Sequence, residues 1–213
     1  MISTEIAMPI QIILSDLHDQ EPVESALIAT AFNLLVKHPE KPLSVTQVIK
    51  AAGVSRASFY KYFSNKEDLF AAILLSEELA IHGLIKQMSH EHSAGELLKN
   101  YLNYCIQNIK KYKLLGQLET ILQKNNETIE RFTRWKLLRA SHVDEFSAAI
   151  QSTLPAEHKL DEENIRFYYG LIWSIASGVS HLTDSDYFHE LIADKRGFSK
   201  FLLESVYTIG EKT

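Results

Sequence analysis

The chain has 213 residues, 46% hydrophobic and 23% charged, with a net charge of −5, the composition of an ordinary globular protein with room for one large domain or two small ones. Its longest apolar runs fall far short of the ~20 residues of a membrane-spanning helix, and the N-terminus has neither the basic start nor the small-residue cleavage site of a signal peptide, so a cytoplasmic protein with no membrane partner is expected. With Cys105 as the one cysteine, an intrachain disulfide and a cysteine-rich zinc site are excluded.

Four of the five prolines lie at or before Pro42, and apolar residues recur at three- and four-residue spacing, which predicts an all-α fold. Residues 1–20 mix Ile10, Ile12, Ile13 and Leu14 with Pro9 and acidic residues. They read as an N-terminal extension, whether docked arm, short helix or loose lead. From Pro22, a good first-turn residue, Val23, Leu27, Ala31, Leu34 and Leu35 form one apolar stripe that ends at the breaker His38-Pro39-Glu40-Lys41-Pro42.

Ser44-Val45-Thr46-Gln47 has the form of a capping box and opens a second helix running to Ala52. Gly53 permits the left-handed conformation that ends a helix. Ser55 then caps a third helix from Arg56 to about Phe63, so the order is helix, tight glycine-containing turn, helix. Asn65 caps a fourth helix, with Glu67 and Asp68 against its positive end, and His90 to Gly95 reads as a loop. Further helices are predicted at 96–112, 114–123, 127–153, 162–182 and 195–209.

Charge singles out one segment. Lys41, Lys50, Arg56, Lys61 and Lys66 lie in a stretch without acidic residues, leaving −10 for the rest of the chain. Such a patch suits a polyanion, although a charge run alone is more often a solvated face. At 100° per residue, Phe59 and Phe63 share the inner face of the third helix. Ala57, Ser58 and Lys61 point the other way, flanked by Tyr60 and Tyr62. Small and basic residues at base edges, with phenols and a lysine at the phosphates, fit a major groove. An amphipathic helix with a small, basic outer face is the competing reading.

The run from Leu43 to Leu69, with its capped short helix, Gly53-Val54-Ser55 turn, Phe59-Tyr60-Lys61-Tyr62-Phe63 and Asn65-Lys66-Glu67-Asp68-Leu69, resembles the N-terminal domain of the TetR family of transcriptional regulators. The resemblance covers residues 22–75. It implies that Arg56, Ala57, Ser58 and Lys61 face bases, that Ser44, Tyr60, Tyr62 and Lys66 hold phosphates, and that Thr46 approaches the duplex. Asp16, Asp19, Glu21 and Glu24 stand where many relatives are basic, which speaks against a DNA-binding arm.

The resemblance further implies a helix-turn-helix DNA-binding domain at 21–66 and a larger helical domain at 67–213 for effector binding and dimerisation. One short helix making about three base contacts, each worth about 1–3 kcal/mol of discrimination, cannot select a site from a genome, so a homodimer on palindromic double-stranded DNA is expected. The family places the dimer contact in its last two helices, here 162–182 and 195–209. Ile165, Tyr168, Tyr169, Ile172, Trp173, Ile175, Ala176 and Val179 leave little polar face on the first of these. Gly170, Ser174, Ser177 and Gly178 allow a close partner, and Phe198, Phe201, Leu202 and Val206 give the last helix an apolar stripe.

Beyond residue 80 no motif names a ligand. The family binds a small-molecule effector among the middle helices, and the aromatic or polar members of otherwise apolar segments are the candidate lining: Tyr101, Tyr104, Cys105, Phe132, Trp135, His142, Tyr169 and Trp173. Plain core is the alternative for each, and Cys105 reads as a buried small hydrophobe before it reads as a thiol sensor. His82, His90 and His92 have irregular spacing that favours surface histidines over a metal site. No P-loop, Gly-x-Ser-x-Gly elbow, dinucleotide fingerprint or His-Glu-x-x-His is present, so no catalytic residues, metal or cofactor are expected. The alternative to a DNA-binding regulator, which the resemblance implies to be a repressor, is a helix-turn-helix protein acting through protein–protein contacts.

Overall fold

A computed structural model describes residues 21–88, 93–125, 128–154, 156–182 and 185–211. Among them are ten α-helices and no strand, in the order α1 (Pro22–Lys37), α2 (Val45–Ala52), α3 (Arg56–Tyr62), α4 (Lys66–Met88), α5 (Ala94–Gln107), α6 (Ile109–Gln123), α7 (Glu130–Thr153), α8 (Glu162–Leu182), α9 (Asp186–Leu191) and α10 (Lys195–Glu211). The fold is all-α.

Helix ends follow the caps. The Ser44 hydroxyl accepts from the Gln47 amide at 3.3 Å while Gln47 Oε1 accepts from the Ser44 amide at 2.8 Å, satisfying two first-turn donors of α2 reciprocally. Gly53 closes α2 at φ 68°, ψ 27°. Ser55 Oγ accepts from the Ser58 amide at 3.0 Å to open α3, and Asn65 Oδ1 accepts from the Asp68 amide at 2.8 Å to open α4.

Three boundaries depart from expectation. The helix predicted at 96–112 breaks at Asn108, whose side chain donates to the Tyr104 carbonyl at 2.9 Å and so competes with the next turn. The short helix α9 is not predicted. Its six residues follow a Ser185 cap, where the apolar pattern is too brief to show a period. The helix predicted from 127 begins at Glu130. The 1–20 extension, His90 and His92 lie outside the described residues.

The described residues divide into two compact units, 21–81 with 114–141, and 82–113 with 142–211. The first unit therefore takes in α6 beyond Lys113 and the first half of α7 along with the helix-turn-helix. Its core joins Leu27 and Ala31 of α1, Val48 of α2, Phe59 of α3, Phe63, Leu69 and Ile73 of α4, Leu118 of α6 and Leu138 of α7. Each fully buried large side chain contributes about 2–3 kcal/mol of transfer free energy. In the second unit α5 packs against α10 and α8. At the α5–α10 crossing, Gly210 meets the Gly95 backbone so closely that a Cβ there would lie 2.5 Å from the Gly95 nitrogen. Among the described residues, no helix is long and apolar enough to cross a membrane.

Candidate nucleic-acid interface

The interface is built on α3. Phe59 and Phe63 are buried, their ring centroids 5.4 Å apart, and this anchored inner face fixes what the outer face presents. Ala57, Lys61 and Arg56 are exposed, as is Thr46 on the first turn of α2. Tyr60 is 46% exposed, with the Arg56 guanidinium 5.6 Å from its ring centroid. This stacking holds the cation beside the phenol. Ser58 is half-buried and its hydroxyl is 2.8 Å from Ser55 Oγ, so it serves the cap of its own helix. Ser44 is exposed, its hydroxyl engaged in the capping box. Lys66 is half-buried over the Phe70 ring at 5.6 Å and lies 3.7 Å from Glu67.

Two residues whose contacts the sequence reading did not foresee shape this surface. Glu21, the residue before α1, makes no capping bond of its own. Its carboxylate instead accepts from Lys61 Nζ at 3.2 and 3.0 Å and from the Tyr62 hydroxyl, while Lys61 also donates to Tyr62 Oη at 3.2 Å. The Tyr62 hydrogen bond, then the Lys61 bond and charge, hold the Glu21 carboxyl below its ordinary range. The Tyr62 and Glu21 hydrogen bonds raise the Lys61 ammonium. The second residue is Arg131 of α7, which donates to Asp68 at 2.8 Å, to Glu24 at 2.9 Å and to the Tyr62 carbonyl at 3.1 Å. No local sequence signal reports either contact, because the partners lie 40 residues or more apart.

Residues 27–73, spanning α1 to the first turns of α4, match the family described as bacterial regulatory proteins, tetR family. The helix-turn-helix thus resembles the N-terminal domain of that family. A 51-residue stretch is 45% identical to the HTH-type transcriptional regulator EthR of Mycobacterium tuberculosis, covering 24% of this chain and 24% of that one. A longer match, 24% identical over 131 residues, covers 54% of this chain and 59% of the uncharacterized HTH-type transcriptional regulator YwcC of Bacillus subtilis. Both matches thus span less than two thirds of the relative's own length. The likeness of fold extends further. A crystal structure of a tetR-family regulatory protein from Rhodococcus RHA1 aligns with a TM-score of 0.65 at 17% identity, over 90% of this chain and 98% of that one.

The eight candidate effector-lining residues fall in both compact units. Phe132 and Trp135 stack at 5.3 Å in the core of the first unit. There the Trp135 indole donates to buried Glu78 at 3.0 Å. Trp173 is 50% exposed. In the second unit, Tyr101 lies 6.1 Å from Tyr169, and Cys105 on the same helix is also buried. Tyr112, which was not a candidate, joins them: burial, then the neighbouring Cys105, pushes its phenol far up. Tyr104 is half-buried and accepts from Lys111 at 3.2 Å. His142 is fully buried, stacked on His82 with centroids 5.2 Å apart.

Proposed function

We propose that the protein is a transcriptional regulator, a repressor that binds a palindromic DNA operator as a homodimer and responds to a small-molecule effector. The observation that carries this reading is the exposed outer face of α3, where Arg56, Ala57 and Lys61 stand out from a helix pinned by Phe59 and Phe63. On this reading Arg56, Ala57, Ser58 and Lys61 meet base edges, Thr46 approaches the duplex, and Ser44, Tyr60, Tyr62 and Lys66 bind phosphates.

The dimer contact is assigned to α8 and α10. Phe167 and Trp173 on α8, and Phe201 and Ile209 on α10, are large apolar side chains at the surface. Exposed Gly170, Ser174 and Ser177 beside them admit a close neighbour. Phe201, expected on an apolar stripe, is 64% exposed, which supports its facing a second copy. The effector site is assigned to the nest of Tyr101, Cys105, Tyr112 and Tyr169. An effector acts there only through unequal affinity for the DNA-competent and incompetent states.

A binding titration with duplex from the protein's own upstream region tests the reading. Affinity should fall with salt, at a slope of about 0.9 per phosphate contacted in a log–log plot. Replacing Lys61 and Tyr62 together by alanine should weaken it while helix content is kept. No binding of the folded protein at low salt would refute the reading, and regulation that survives the double substitution would favour action through protein contacts.

A further inference from the structure

The Glu21 carboxylate occupies the two groups on the reading face that are best suited to a phosphate. Lys61 Nζ contacts both of its oxygens, at 3.2 and 3.0 Å, and the Tyr62 hydroxyl donates to one of them. A carboxylate and a phosphate present the same chemistry to such donors, namely anionic oxygens that accept charge-assisted hydrogen bonds. Glu21 is placed for this role by α1: it is the residue before the first turn, in extended conformation, and its side chain makes no capping bond. Pro22 occupies the first helical position and lacks an amide hydrogen, so the first turn offers one donor fewer to compete for that carboxylate.

Resting on the DNA-binding reading above, but moving Lys61 from the base edges to the backbone beside Tyr62, we infer that Glu21 is a built-in phosphate surrogate that Lys61 and Tyr62 must exchange for the DNA backbone, and that it sets the affinity of the protein for all duplexes. The displaced carboxylate remains near the backbone and repels it, so the cost has two parts, a lost ion pair and a new like-charge approach. Neither part depends on base sequence. The device therefore suppresses binding to arbitrary DNA and leaves occupancy to sites where the base contacts of α3 make up the difference.

Glu21 and Lys61 are exposed, and Tyr62, half-buried against the core, keeps its ring in Tyr62→Phe, so these substitutions leave the core intact, which a circular-dichroism melt of each variant verifies. The test measures affinity of the full-length protein for its upstream duplex and for a scrambled duplex of equal length, at one salt concentration. Glu21→Gln should tighten both by a similar factor. An exposed ion pair corresponds to roughly threefold per reading head, hence about tenfold for a two-headed complex. In a Lys61→Ala, Tyr62→Phe background the same Glu21→Gln change should gain less than about twofold. Unchanged or weaker binding by Glu21→Gln, while the wild type binds its upstream duplex, overturns the inference and makes Glu21 a positioning residue or a bystander. A gain that persists in full without Lys61 and the Tyr62 hydroxyl overturns it as well. If neither wild type nor variant binds any duplex, the DNA-binding reading falls and this inference with it.

Discussion

Arg131 Nη1 lies 2.8 Å from Asp68 Oδ1, joining the start of α7 to the start of α4. The same guanidinium reaches Glu24 of α1 and the Tyr62 carbonyl at the end of α3, and sits 5.1 Å from the Phe63 ring centroid. Four helices thus meet on one planar fork, which an ammonium cannot imitate because it lacks the fixed geometry. Arg131→Met should lower stability by about 2–3 kcal/mol, since two carboxylates lose their partner in a partly buried setting. Arg131→Lys should recover less than half. Urea unfolding of both variants measures this.

Gly53 ends α2 at φ 68° with nothing within 4 Å of where a Cβ would stand. The cost of Gly53→Ala is therefore conformational rather than steric, about 1–2 kcal/mol. Gly53→Asn should cost less, because asparagine visits this region more readily. Comparison of the two by denaturant unfolding separates backbone strain from crowding.

Crowding decides the outcome at Gly210. Its added Cβ would meet the Gly95 nitrogen at 2.5 Å and Cα at 2.6 Å, and backbone atoms cannot swing aside as a side chain can. Gly210→Ala should destabilise by about 1–3 kcal/mol and separate α10 from α5. Thermal unfolding should show a lower midpoint, with helix content little changed.

Burial, with smaller contributions from neighbouring groups, raises the phenols of Tyr101 and Tyr112 above their ordinary value. In the unfolded chain they ionise near pH 10. The folded form keeps protons that the unfolded form releases, so this contribution is complete below pH 10 and is lost as pH rises above it. Absorbance titration should find two tyrosines that do not ionise until the protein unfolds. Stability should fall as pH rises above about 10.

The assignment of the dimer contact predicts that Trp173→Glu with Phe201→Glu yields a folded monomer in light scattering. Both positions are exposed in the single chain, so the core is spared. Operator binding should drop by at least about a hundredfold, because each single base mismatch already costs roughly 1–3 kcal/mol and here a whole half-site is lost.

The legible parts of this fold are those governed by neighbours in sequence. Ser44 with Gln47, Gly53, Ser55 and Asn65 announce their helix ends because cap and capped amide lie three or four residues apart. The 3.6-residue period likewise identifies Phe59 and Phe63 as inward-facing. Hidden from the sequence are contacts made across the fold. Glu21 meets Lys61 over 40 residues and Arg131 meets Glu24 over 107, and neither pair has a local signature. Which of the candidate effector-lining residues share surroundings is hidden for the same reason. Trp135 and His142 lie on one helix but belong to different compact units, and helical periodicity ranks faces without naming their neighbours.

Helix α3 has seven residues, too few to persist alone in water, yet it is closed by the Ser55 hydroxyl and nailed down by two buried phenylalanines. A probe that is rigid before it lands loses little chain entropy on docking. Calorimetry of the association should then report a heat-capacity change of the size set by surface desolvation alone, without the larger increment of a segment that folds as it binds.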